Sequence, residues 1–549
     1  MEASPVRVIQ YFDGTKQSLI PLFQRPYTWS KKDWETLWRD VLTYYGSDEG
    51  ITHFMGAIVS VPARTVPIGV TKFLIIDGQQ RLTTVSILLA ALRDAMATTP
   101  DGGRVEDYLV NRHFLGADHL KLVPTQGDRP VYKMIIQDKA LPTQPHPMKN
   151  AYLYFAEQIR GMDDDGYPLE PVKILQVLEH ALQVVMINLG DADDPYLIFE
   201  SLNYKGEPLA QGDLVRNFVL MRFNHSVEQG GEQEEVYLQY WRPLEETLGS
   251  ALTEFLRHYL TKDSEEPNRG GIYAAVKSKF GELDGDGLRG ALGALVTHSR
   301  YYARFLDPLR EPDQAIAERL IALQQLEITT SYPLMLRLFD YYETGVLSSE
   351  ALQRALGAIE SFIMRRAVCS VPTNALNKLF SQWARSISKS DPVGWLRMEI
   401  SRGEGSRRCP RDEEFLAKLQ GEDLYRKKGV RYLLVRLEGS FGSREPASLD
   451  KATVEHVMPQ TLSETWKSYL GDQADMIHQL QCHTLGNLTL SALNSELGNM
   501  PFDEKKTILA GSHIDLNNWI VEQSSWGEDE ILERGRLLAL RARELWPMP

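Results

Sequence analysis

The sequence predicts a mostly helical α+β protein built from several domains. Three observations carry this expectation. The first hundred or so residues mix helix-period and strand-period patterns. Residues from about 151 to 440 read almost throughout as amphipathic helix. A last segment, from about 447, opens on a short strand signal and closes on a charged amphipathic helix. With 549 residues the chain is long enough for several domains with substantial cores.

The elements follow in order. Ser30-Lys31-Lys32-Asp33 reads as a capping box, and the helix it opens places Trp34, Leu37, Trp38, Val41 and Leu42 on one face. Strand-like runs follow at 54–61 and 73–76, separated by a turn region containing Pro and Gly. The second run stops at Asp77-Gly78, and 82–97 reads as a long apolar helix. The stretch 104–150 is expected to be irregular, because Pro124, Pro130, Pro142, Pro145 and Pro147 interrupt any long element. Helices are expected at 317–326 and 351–366, with Asp284-Gly285-Asp286-Gly287 as a turn and 401–411 as a polar, basic loop. The closing pieces are a strand at 452–454 and a helix at 528–546.

Composition narrows the function classes. Hydrophobic residues make up 43% and charged residues 24%, as in a soluble globular protein. No stretch approaches the roughly 18 uncharged apolar residues of a membrane span. The N-terminus lacks a basic region followed by an apolar run, so no secretory signal is expected. Cys369, Cys409 and Cys482 are far apart and form no CxxC pair, which argues against a disulfide framework and a cysteine-ligated structural zinc. A cytoplasmic location fits. The net charge of -14 argues against a protein that coats DNA passively. A local basic groove on an acidic body stays compatible with salt-sensitive DNA contact.

The sharpest motif is Thr453-Val454-Glu455-His456-Val457-Met458-Pro459-Gln460. Further on come Gly486-Asn487-Leu488-Thr489-Leu490, Asn494-Ser495, Gly498-Asn499 and Lys505. Phosphodiester hydrolysis needs an activated water, a stabilised pentavalent phosphate and a neutralised leaving oxygen. A neutral imidazole can serve the first need, and a divalent cation held by a carboxylate and an amide oxygen the others. Adjacent strand residues point to opposite sides, so Glu455 and His456 at a strand end can divide the two tasks across a bend. Asn487 is placed to hold the loop carrying His456, and Asn494 to complete a metal site. His478 and His483, between the motifs, read as structural, and Asn499 as a turn residue.

A second constellation is Ile75-Ile76-Asp77-Gly78-Gln79-Gln80-Arg81-Leu82-Thr83-Thr84, a strand, a tight turn and a helix start. Free backbone N–H groups and the helix dipole favour an anion there, and Arg81 adds a fork suited to phosphate. Thr83 and Thr84 add hydroxyls, and Asp77 can orient Arg81 or hold magnesium. The Walker pattern GxxxxGK[ST] is missing. A strand–turn–helix of this kind is also an ordinary connection. Upstream, Pro21-Leu22-Phe23-Gln24-Arg25-Pro26-Tyr27-Thr28-Trp29 sets Arg25 between aromatics near a helix start, either to stack a base or sugar or to anchor a core turn.

The C-terminal motifs resemble the HNH, or ββα-metal, nuclease domain of GmrSD-type modification-dependent (type IV) restriction enzymes. The Asp77–Arg81 segment, with His53-Phe54-Met55-Gly56, resembles their ParB-like α/β N-terminal domain. The similarity continues through Ile198–Asn203, Lys205-Gly206, Asp213–Asn217, Thr373-Asn374 and Phe380. The resemblance implies a ParB-like sensor at 1–225, a helical middle at 226–440 and an HNH nuclease at 441–549. It implies catalytic roles for His456 (general base), Asn487 and Asn494, a metal held by Glu455 and Asn494, and a phosphate contact at Lys505. It implies nucleotide binding by Asp77, Gly78, Gln79, Gln80, Arg81, Thr83 and Arg25. Many HNH enzymes carry Asp where Glu455 stands; the longer arm shifts the metal or leaves Glu455 in a supporting role.

The expected cofactors are Mg²⁺ or another divalent metal and a nucleoside triphosphate such as GTP or ATP. The expected partner is DNA, in modified form, with no membrane and with homo-oligomerisation left open. The expected function is a nucleotide-regulated, modification-dependent DNA endonuclease and NTPase that defends against phage or foreign DNA. Two alternatives are a nucleotide-switched nucleic-acid-binding regulator with an inactive HNH domain and an RNA-cleaving abortive-infection effector.

Overall fold

The computed structural model describes residues 2–21, 24–46, 51–62, 69–163, 165–189, 210–223, 231–443, 447–493 and 497–549. Two compact units are present: Met1–Glu245 with Gly270–Gly293, and Glu246–Arg269 with Ala294–Pro549. Most described residues are helical, and the first unit adds a mixed sheet, so the chain is α+β. Among the described residues, no helix is long and apolar enough to cross a membrane.

The first unit is built on six strands: β1 (Glu2–Arg7), β2 (Lys16–Leu19), β3 (His53–Pro62), β4 (Thr71–Asp77), β5 (Leu122–Val123) and β6 (Leu182–Asn188), in the order β1-β6-β3-β4-β2-β5. The pairs β1/β6 and β3/β4 are antiparallel, and β3/β6, β2/β4 and β2/β5 are parallel. Helix α1 (Lys31–Thr43) begins at the capping box, Ser30 with Asp33, and buries Trp34, Leu37, Trp38 and Val41. Helix α2 (Gln79–Ala95) is buried on nearly every side, so its apolar residues are not confined to one stripe and several of its polar side chains are buried with them. It forms the centre of the unit's core, with Leu82, Val85, Leu88, Leu89 and Leu92 fully enclosed.

The stretch 104–150 is more regular than its prolines suggest. Helices occupy Pro100–Leu109, Arg129–Ile136 and Pro147–Gln158, each with proline in the first turn. A proline there loses no hydrogen bond and presets the backbone angle, so these prolines start helices instead of breaking them. Strand β6 lies in a region expected to be helical; its Leu-Gln-Val-Val-Met-Ile-Asn run is β-branched and pairs with β1 from the far end of the unit's sequence. The resemblance segments at 198–203 and 205–206 lie outside the described residues.

Among the described residues, the second unit is helical apart from one strand pair, β7 (Thr453–His456) and β8 (Leu488–Ser491). The expected helices appear at Gln314–Gln325 and Ser349–Val368. Behind the strand pair lie α3 (Phe502–Ala510) and α4 (Glu528–Leu545). One core cluster joins Phe415, Leu419, Leu433, Leu434, Leu485, Leu488, Leu490, Ala539 and Trp546; a second joins Val457, Met458, Trp466, Phe502 and Trp526.

Candidate active site

Strand β7 runs antiparallel to β8, with Glu455 opposite Thr489 and His456 opposite Leu488. Successive side chains diverge at its end. The Lys505 ammonium on α3 donates to Glu455 Oε1 at 3.0 Å, while His456 Nε2 lies 3.0 Å from His483 Nδ1. Lys505 also donates to the His456 carbonyl at 2.7 Å, which pins the strand end. Glu455, His456 and Lys505 are all buried.

Burial sets the charge states. It pushes the Glu455 carboxyl up against the opposing pull of Lys505, and it pulls the Lys505 ammonium down against the pull of Glu455. His456 is driven down to about 3, first by burial and then by His483 and Lys505. Its imidazole is therefore neutral at physiological pH, with a lone pair for a proton or a metal.

Asn487 is fully buried, and its amide fixes the chain after β7. Its Oδ1 accepts from the Met458 N–H at 2.7 Å and from Trp526 Nε1 at 3.0 Å. Its Nδ2 donates to the Met458 and Cys482 carbonyls, each at 2.8 Å. The preceding Gly486 lies so close to α4 that an added Cβ would fall 1.9 Å from the Ile531 carbonyl oxygen. On that helix the buried Arg534 donates to the Gly486 and Leu488 carbonyls at 2.7 and 2.8 Å, satisfying backbone acceptors that water cannot reach. Burial lowers this guanidinium to about 9.

Around His456 the structure gathers residues that the motifs leave apart. The Tyr425 ring meets His456 edge-on at 4.4 Å and stacks on His483 at 5.5 Å. The donor atoms of His456, Cys482 and His483 lie within 4.8 Å of one another. His478 instead turns to the Pro459 carbonyl at 3.0 Å. Tyr425 belongs to no motif, so the sequence offers no signal for it. The Cys482-His483 pair directly before the Gly486-Asn487 segment is a signal that points here. Asn494 lies outside the described residues. Asn499 is exposed beside Gly498, as a turn residue should be. Lys505, expected at a phosphate, is instead enclosed, with its ammonium bonded to Glu455 and the His456 carbonyl.

The Asp77–Thr84 constellation lies in the other unit. Asp77 ends β4, Gly78 caps α2 with φ +90°, and an added Cβ at Gly78 would lie 2.8 Å from Ile58. Gln80 clamps the upstream loop onto the helix: its Oε1 accepts from the Thr28 N–H at 3.0 Å, and its Nε2 donates to the Pro26 carbonyl at 3.1 Å. Gln79 Nε2 reaches the Arg25 carbonyl at 3.4 Å. Tyr27 OH bonds Thr84 and receives Trp34 Nε1, both at 2.8 Å. Arg81 Nη1 donates to the Ala57 carbonyl at 2.6 Å, and its guanidinium lies over Gly56, whose φ of +109° suits only glycine. Burial lowers Arg81, and the Asp77 carboxylate opposes it. Thr83 is buried. The structure thus brings Asp77, Gly78, Gln79, Gln80, Arg81 and the Arg25 backbone to one end of α2.

Residues 8–220 match the family model described as "GmrSD restriction endonuclease, N-terminal domain", and residues 409–540 match "GmrSD restriction endonucleases, C-terminal domain". No curated protein matches the chain. The two matches together cover more than half of the chain, in the order N-terminal then C-terminal domain, and each contains one of the two constellations. The chain belongs to the GmrSD restriction endonucleases.

Proposed function

We propose that this restriction endonuclease is a nucleotide-regulated, modification-dependent enzyme of the HNH type. A ParB-like sensor at 1–225 binds a nucleoside triphosphate and reads a DNA modification. The helical stretch 226–440 transmits that state, and the nuclease at 441–549 hydrolyses the phosphodiester bond. The observation that carries this reading is the buried imidazole of His456 on a strand end tied down by Asn487 and Lys505.

Each residue has a task. His456 takes a proton from the attacking water at its imidazole, with Nε2 released from the 3.0 Å contact to His483 Nδ1. Asn487 holds the loop behind it, so the imidazole does not have to be ordered at the moment of reaction. The Glu455 carboxylate offers oxygen donors suited to a hard divalent cation such as Mg²⁺, with Asn494 as the second ligand expected from the sequence. Such a cation supplies charge stabilisation to the leaving oxygen. Lys505 offsets the Glu455 charge inside the protein.

The test is nicking of matched modified and unmodified DNA with and without each nucleotide. His456→Ala should abolish cleavage and keep nucleotide binding; cutting at the parental rate overturns the nuclease assignment. Arg81→Ala should impair nucleotide hydrolysis and alter restriction, and normal values for both remove the sensor assignment.

A further inference from the structure

We propose that His456, Cys482 and His483 form a site for a thiophilic divalent cation of the zinc and cobalt class, separate from the oxygen donors at Glu455. The three donor atoms already converge within 4.8 Å. The two imidazole nitrogens are 3.0 Å apart, a little under the spacing of roughly 3.3 Å that two nitrogens take around a tetrahedral zinc. A cation between them needs a small opening of the pair and a closer approach of the Cys482 thiol, which faces the Pro459 carbonyl at 3.8 Å.

The frame around the donors is tied together by hydrogen bonds and ring contacts. Asn487 Nδ2 holds the Cys482 carbonyl at 2.8 Å, and the Val457 N–H donates to the Asn487 carbonyl at 3.0 Å. This links the chain on either side of the cluster. Tyr425 packs against both imidazoles. His456 and Cys482 are buried and His483 is partly exposed, so the approach lies on the His483 side. Three protein donors leave a fourth position for water. The donor set is nitrogen and sulfur, which favours Zn²⁺ or Co²⁺ over Mg²⁺.

The proton balance is simple. The Cys482 thiol releases its proton to solvent as the metal thiolate forms. One imidazole N–H lies between the rings. With a cation there, that hydrogen moves to the other nitrogen of its ring, and both inner lone pairs face the metal. Bound in this way, His456 Nε2 cannot take a proton from water. The loaded site is therefore a silenced nuclease, a consequence that rests on the general-base reading of His456.

The experiment is titration of the metal-free full-length chain with Co²⁺, read by absorption spectroscopy. The expected result is a sulfur-to-cobalt charge-transfer band with tetrahedral d–d bands, saturating at one ion per chain and bleached by Zn²⁺. Cys482→Ser should lose the charge-transfer band, and His483→Ala should weaken Co²⁺ binding at least tenfold, on the order expected for damage to a metal site. Absence of the band in the parent, or its persistence in Cys482→Ser, overturns the site. A Mg²⁺-supported nicking assay forms the second arm. Stoichiometric Zn²⁺ should arrest the parent but not His483→Ala, and equal arrest of both overturns the silencing. If His456→Ala cuts like the parent while the parent's cobalt band is present, the nuclease reading falls and the metal site stands.

Discussion

Lys505 and Glu455 form an ion pair of 3.0 Å inside the second unit, and the same ammonium bonds the carbonyl of His456, the residue next to its partner. The lysine side chain is fully enclosed. One cation therefore offsets the buried carboxylate and fixes the backbone of the proposed base.

Removing that cation should be costly. Lys505→Met leaves the Glu455 carboxylate buried without a partner, with an expected loss of about 3–5 kcal/mol. Urea denaturation measures it. The double variant Glu455→Gln with Lys505→Met should recover part of the loss, because no charge then remains to be solvated. Equal stability of the parent and the single variant would show that the pair carries no net weight.

Asn487→Ala removes both arms of the amide that bridges Met458, Cys482 and Trp526. The orphaned buried groups cost about 1–3 kcal/mol each, so several kcal/mol of stability and most of the DNA cleavage should be lost. Asn487→Asp keeps the acceptor for Met458 and Trp526 but loses the donor to two carbonyls, and should fall between. Thermal melts and nicking rates for the pair of variants check the order.

Gly486→Ala tests the close approach of the motif to α4. Its methyl would sit 1.9 Å from the Ile531 carbonyl oxygen, and backbone on both sides must move. Overpacking of a well-filled site costs typically 1–3 kcal/mol, and here the obstacle is backbone, so about 3 kcal/mol or more is expected. Chemical denaturation of the variant reads this directly.

The pH dependence has a definite sign. His258 is driven down to about 3, first by burial and then by Arg257, and its Nδ1 lies 3.0 Å from the Tyr302 hydroxyl. The unfolded chain protonates it near the ordinary value of about 6.5. Its contribution is complete above that value and declines as pH falls from about 6.5 toward the folded value. The slope is about 1.4 kcal/mol per pH unit, or about 2 kcal/mol by pH 5. Stability measured from pH 7 to pH 4 should fall less steeply in His258→Gln. His456 adds a slope of the same sign, so part of the decline should stay.

Much of the local order was legible because it is encoded by neighbours in sequence. The capping box at Ser30, the strand ending at Asp77 and the helix after Gly78 each follow from a few adjacent residues. The Glu455-His456 strand end and the amide of Asn487 behind it were legible in the same way. The rest depends on partners far along the chain. Nothing near Glu455 announces that Lys505 will turn inward to meet it, and nothing near Tyr425 announces two histidines against its ring. Of the prolines expected to interrupt 104–150, Pro130 and Pro147 instead sit in the first turn of a helix, because the same residue type that ends one helix can begin the next.

The packing of Gly486 against α4 bears on the order of biosynthesis. Translation proceeds from the N-terminus, and domains tend to fold as they emerge. All of the residues of the first unit have been made by Gly293. The turn bearing Asn487 finds its seat only after Ile531 and Arg534 have been added. During synthesis the first unit can therefore close while the turn bearing Asn487 still lacks its support.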